Sequence, residues 1–140
     1  MALTNKKFGE LVDLLILELG LDTDTTVDRL WNKYEVSFSD NTEYIIQNEE
    51  QQIEAVKDYI LDTASYFNSE FLEGMTGIPG EAFEVLEGYD DVVVKIIEAT
   101  CGLDAFAEEC IAVDGAGHFL AHYDGEEIEL DDEYSAFRIS

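Results

Sequence analysis

Glu50, Glu54, Asp58 and Asp62 recur at every fourth position, the spacing that puts side chains on one face of an α-helix. Such a row forms a line of fixed negative charge; carboxylate pairs are abundant enough in this chain for general acid–base chemistry, but no spacing singles one out. Each like-charged pair at i,i+4 costs about 0.2–0.5 kcal/mol, and Lys57 stands beside the row, not within it. A solvated helix face is the plainer account of a charge run, but an ordinary face would mix in Lys and Arg. A second set, Glu81, Glu84, Glu87 and Asp91, also has nearly helical spacing. The chemistry both sets offer is electrostatic capture of a basic surface. Four residues of helix advance about 6 Å, whereas duplex DNA carries a charge per about 1.7 Å of axis. One row is therefore too sparse to imitate a duplex, and several acidic elements would have to share a surface.

Other constellations carry less. Glu126, Glu127, Glu129, Asp131, Asp132 and Glu133 cluster near the C-terminus; a charged edge or turn that discourages strand-to-strand association explains them at least as well as binding. Asp22-x-Asp24 hints at a calcium loop, but Val27 stands where the sixth position needs Gly and Lys33 where the twelfth needs Glu, so the loop is rejected. His118 and His122 are four apart. On a strand that is about 13 Å, too far for one metal ion. No Gly-rich phosphate loop, Ser or Cys nucleophile motif or metal-ligand spacing is present. Cys110 with His118 would form a nucleophile–base pair only by accident of folding. No catalytic residue, metal or cofactor is expected.

The charge of the whole chain frames these sites. Thirty-three Asp and Glu face seven Lys and Arg, a net charge of −26 over 140 residues. Hydrophobic residues make up 46%, too many for a disordered acidic tail, so a core wrapped in carboxylates is expected, in a single domain over 1–140. With no basic cluster beyond Lys6-Lys7, direct nucleic-acid binding and anionic membranes are disfavoured. No stretch approaches the length of a membrane span, and Glu10, Asp13 and Glu18 interrupt the apolar run after Lys6-Lys7, which reads as an amphipathic helix rather than a signal peptide. Cys101 and Cys110 are expected to be reduced.

The elements that must position these residues follow from period. Phe8, Leu11, Leu15 and Leu19 predict a helix over 4–19, and Asp24 or Thr25 would cap a second through Leu30, Trp31 and Tyr34. Residues 36–46 are ambiguous, with the β-prone pieces Val36-Ser37-Phe38 and Tyr44-Ile45-Ile46. A helix at about 49–67 has Ile53, Val56, Ile60, Ala64 and Phe67 on one stripe. A break at Gly74, Gly77 and Pro79-Gly80 precedes short helices at about 80–87, 89–101 and 103–113, with Gly88 and Gly102 at helix ends. The period then changes. Phe119, Ala121 and Tyr123 alternate, and Asp124-Gly125 is a strong hairpin signal. Its two-residue turn would pair Tyr123 with Glu126, Ala121 with Ile128 and Phe119 with Leu130, leaving His122 opposite Glu127 and His118 opposite Asp131. A third strand would return over Ser135 to Ile139. The predicted class is α+β: mainly helical over 1–113, then a three-stranded antiparallel β-meander over 117–139.

Gly117-His118-Phe119-Leu120, Tyr123-Asp124-Gly125-Glu126-Glu127, Tyr134 and Phe137-Arg138 together resemble the tail of small phage-encoded proteins of unassigned function. Tyr66-Phe67-Asn68, Phe71-Leu72 and Thr76-Gly77-Ile78-Pro79 resemble an upstream part of the same group, so the resemblance runs from about residue 49 to the C-terminus. The composition is similar to that of the acidic DNA-mimic inhibitors that phages direct against restriction and CRISPR systems. The resemblance implies a non-enzymatic inhibitor in the cytoplasm of an infected bacterium, whose partner is a basic nucleic-acid-handling protein such as a CRISPR effector or a restriction enzyme, and carries no catalytic residues across. The alternative is an acidic interaction domain, or a halophile-type domain, without mimicry.

Overall fold

Thr4 accepts a hydrogen bond from the Lys7 amide at 3.1 Å and so caps the first helix, α1 (Asn5–Glu18), whose Phe8, Leu11, Val12, Leu15 and Ile16 are buried at the expected spacing. The computed structural model describes residues 4–21, 27–30 and 35–140. The protein is α+β. Its chain divides into two compact units: Met1–Gln52 with Gly115–Ser140, and Ile53–Asp114.

The first unit is built on an antiparallel sheet. Strands β1 (Val27–Leu30), β2 (Glu35–Phe38), β3 (Glu43–Asn48), β4 (Ile128–Glu129) and β5 (Tyr134–Arg138) lie in the order β1-β2-β3-β5-β4. Alternation decides which side chains meet α1: Val36, Phe38, Tyr44, Ile46, Tyr134 and Ala136 share one cluster with Phe8, Leu11 and Leu15. The β2–β3 connection is a tight turn. Asn41 has φ of 70°, and Asp40 accepts from the Thr42 amide at 3.0 Å and the Thr42 hydroxyl at 2.7 Å. Those bonds, the hydroxyl's foremost, hold the Asp40 carboxyl below its usual range. β5 pairs along its whole length with β3, from Tyr44 opposite Arg138 to Asn48 opposite Tyr134.

Helix α2 (Glu49–Thr63) starts where Asn48 and Gln51 cap each other: the Gln51 amide donates to Asn48 Oδ1 at 2.9 Å and the Asn48 amide to Gln51 Oε1 at 2.8 Å. A 3₁₀ turn (Ala64–Tyr66) follows, then α3 (Ser69–Thr76), α4 (Gly80–Glu84), α5 (Asp90–Ala99) and α6 (Leu103–Asp114). Val56, Ile60, Leu72, Val93, Ile97 and Phe106 are fully buried in this second unit. Phe67 and Phe71 meet Phe106 edge-on, at centroid distances of 5.3 and 5.2 Å, the favoured geometry for aromatic pairs. Among the described residues no helix is long and apolar enough to cross a membrane.

The structure corrects several expectations. The first three quarters are not all helical: β1 occupies residues expected in a second helix, and the ambiguous 36–46 segment forms β2 and β3. Asp22, Asp24, Thr25, Trp31, Lys33 and Tyr34 lie outside the described residues. Helix α3 runs through Gly74, where a break was expected, because Asn68 caps it, accepting from the Glu70 amide at 2.8 Å; the break itself falls at Gly77, which closes α3 with φ of 78°, and Pro79, which precedes α4.

The largest correction is at the C-terminus. Ala116–Leu120 is a helix, α7, so the first strand of the expected meander does not exist, nor does its register with Glu126, Ile128 and Leu130. The reason lies in the pattern itself. Ala116, Phe119 and Leu120 stand at i, i+3 and i+4 and are all buried, a helical set that the alternation of Phe119, Ala121 and Tyr123 obscures. Gly125 still takes a left-handed φ of 70°, but its amide donates to Ala121 O at 2.8 Å and closes the turn after α7 rather than joining two strands. The second and third strands of the meander are found, as the short β4 and as β5, and they pair antiparallel, Ile128 opposite Ala136 and Glu129 opposite Ser135.

Candidate functional site

The carboxylate row on α2 is exposed at all four positions, Glu50, Glu54, Asp58 and Asp62. At about 100° per residue, the row is centred opposite the buried line of Gln52, Val56 and Ile60. The helix therefore turns its apolar line inward and its acids outward. Glu49 and Glu50 sit in the first turn, where the positive end of the helix dipole favours them. The last turn has no basic residue, so Asp62 faces the negative end with no compensation.

Lys57 changes the electrostatics at one point. Its Nζ lies 3.2 Å from Glu54 Oε1 and 2.7 Å from Asp104 Oδ1 on α6. These carboxylates, Asp104 first, raise the lysine's pKa. The sequence placed Lys57 beside the row; its reach to Asp104 depends on the packing of α6 and has no local signal. Glu54 is thus the member of the row whose charge is already answered within the chain.

The second set is dispersed. Glu81 and Glu84 lie on α4, Glu87 in the turn after it and Asp91 in the first turn of α5. All four are exposed, but no single helix face carries them, because α4 ends at Glu84 and Gly88 turns the chain with φ of 91°. The neighbouring Asp90 has a different task. Its Oδ1 accepts from the Ser65 amide at 2.9 Å and the Ser65 hydroxyl at 2.5 Å, while that hydroxyl accepts from the Gly88 amide at 3.0 Å. Asp90 thereby ties α5 to the 3₁₀ turn.

In the tail cluster, two members are structural. Asp131 Oδ2 accepts from Lys7 Nζ at 2.7 Å, and its Oδ1 from the amides of Glu133 and Tyr134 at 2.9 and 2.8 Å. Partial burial on its own would raise the Asp131 pKa; the Lys7 and backbone hydrogen bonds outweigh it and hold the carboxyl low. Glu127 accepts from the Ser135 hydroxyl at 2.6 Å. Neither residue faces a histidine, so the expected cross-strand pairs are absent. His118 is exposed on α7 with its ring edge-on to Phe119, and His122 is exposed beyond it.

Among the described residues no group of His, Cys, Asp and Glu is arranged to hold a metal ion. Cys110 is buried and Cys101 half-buried, both as free thiols. Burial, followed by the charges of Asp114 and Glu109, pushes the Cys110 thiol up to about 12, which makes it a poor nucleophile near neutrality. No protein-family model matches the chain, and no curated protein or solved structure is significantly similar to it.

Proposed function

We propose that this chain is a non-enzymatic phage anti-defence protein. It binds a basic, nucleic-acid-handling protein of the bacterial host, a CRISPR effector or a restriction enzyme, and blocks its access to DNA in the host cytoplasm. The observation that carries this reading is that all eight candidate carboxylates are exposed, while Glu54 is the one held in an ion pair among the described residues. Exposed charges on both helical segments keep their field available to a partner, and a DNA channel lined with Lys and Arg is the surface such a field attracts.

The test is competition. A partner captured with the tagged chain from infected cells should lose duplex DNA when the chain is added, and added duplex should displace the chain. Asp58→Lys with Asp62→Lys should weaken both effects without altering the fold. A captured partner that keeps its DNA undisturbed would sink the reading, and a chain that folds only in molar salt would point to salt adaptation instead.

A further inference from the structure

Tyr66 leaves 63% of its surface exposed and yet lines two clefts. One, of about 230 Å³, also has Ser65, Ser69, Phe83, Glu84 and Glu87 in its wall. The other, of about 180 Å³, combines the same ring with Tyr59 and Thr63. A Cβ built on Gly88 would stand 4.0 Å from the Tyr66 hydroxyl, so the ring reaches the turn that follows Glu87. An accessible aromatic ring with carboxylates beside it suits a cation, which is drawn to the ring face and neutralised at its edge. Among the described residues neither Glu84 nor Glu87 has an ion pair, and with seven Lys and Arg against 33 acids the chain has few cations of its own to offer.

We infer that this cleft receives an arginine side chain of the partner, stacked on Tyr66 and paired with Glu84 or Glu87. The inference rests on the proposed carboxylate-driven binding and gives it an anchor. A planar guanidinium can stack on a ring and donate to a carboxylate at once, which a lysine ammonium does less well. The chain contains the same stacking elsewhere: the Arg138 guanidinium lies 3.7 Å from the centroid of the Tyr123 ring.

Hexa-arginine and hexa-lysine peptides, titrated calorimetrically into the full chain at one low salt concentration, test the cleft. Hexa-arginine should bind about two- to fivefold more tightly. Tyr66→Ala should remove that advantage, Tyr66→Phe should keep it, and Glu84→Gln with Glu87→Gln should reduce it. The double variant changes two exposed side chains, so it serves as the readout if Tyr66→Ala proves unstable. Equal binding of the two peptides, or an advantage that survives Tyr66→Ala and the double variant alike, overturns the cleft and leaves the acidic surface standing. Failure of both peptides to bind overturns the acidic surface and the cleft together.

Discussion

Gly117 is a position where a single methyl group should be felt. A Cβ there would lie 2.6 Å from Gly125 O, 2.8 Å from Glu126 C and 2.9 Å from Glu127 N, all backbone, so α7 or the 125–127 segment must move to admit it. Gly117→Ala should lower stability by about 1–3 kcal/mol, seen as a lower urea midpoint. Asp131 allows a finer dissection, because its two oxygens serve different partners. Asp131→Asn keeps an acceptor for the Glu133 and Tyr134 amides and loses the Lys7 pair; Asp131→Ala loses both. The alanine variant should be the less stable, by about 1 kcal/mol beyond the asparagine. Since the Asp131 carboxyl is held low in the folded state, its contribution is present above the unfolded pKa of about 3.9 and lost as pH falls through the folded value. Little of this was legible in the sequence. Asp131 read as one acid among six, because its partner Lys7 lies 124 residues away.

At the scale of elements, legibility followed the length of the periodic segment. α1 and α2 carry several turns of apolar spacing and were found, and α5 and α6 were found through the glycines at their ends. α7 was missed because five residues satisfy a period of 2 and a period of 3.6 almost equally. The β-prone pieces of β2 and β3 are legible, but their hairpin is not, because the Asp40-Asn41 turn lacks the glycine that marks Asp124-Gly125. The acidic row on α2 lies on one helix face as its spacing predicts, and the set from Glu81 to Asp91 divides between two helices at Gly88 as the glycine predicts; only Glu87 falls outside, because α4 ends at Glu84. The row makes a prediction of its own. Asp58→Lys with Asp62→Lys turns the Glu54–Asp58 repulsion at i,i+4 into an attraction and puts a cation in the last turn, gains that outweigh the like-charged pair left at 58 and 62, so it should stabilise the protein by a few tenths of a kcal/mol, measured by urea unfolding.

For the whole molecule the governing quantity is the net charge of −26. Self-repulsion opposes compaction, and salt screens it over a Debye length of about 10 Å at 0.1 M. Added sodium chloride should therefore raise the thermal midpoint, and should weaken the partner binding proposed above; a midpoint independent of salt would show that the carboxylates are too dispersed to repel one another. At alkaline pH the folded state should lose ground. The unfolded Cys110 thiol ionises near 8.5, whereas burial pushes the folded one up to about 12. Above the unfolded value the unfolded chain gives up a proton that the folded chain retains, so this stability is present below about 8.5 and lost as pH rises toward the folded pKa. Lys7 and Lys57, both raised by their carboxylate partners, act in the same direction as pH passes their unfolded values. Cys110→Ala should flatten part of the decline in urea midpoint between about pH 8.5 and 11.

The pairing of β3 with β5 also sets an order of events on the ribosome. β3 emerges with β2, but the neighbour that covers its other side is not made until the 85 residues between Asn48 and Tyr134 have followed. At about 5–20 residues per second, the growing chain holds that backbone edge open for several seconds, while the second unit, continuous from Ile53 to Asp114, can complete itself in the interval. An open edge invites pairing with another nascent chain. The acidic shell supplies a safeguard during synthesis that is independent of any partner, because two such chains on one messenger repel each other before either has closed its sheet.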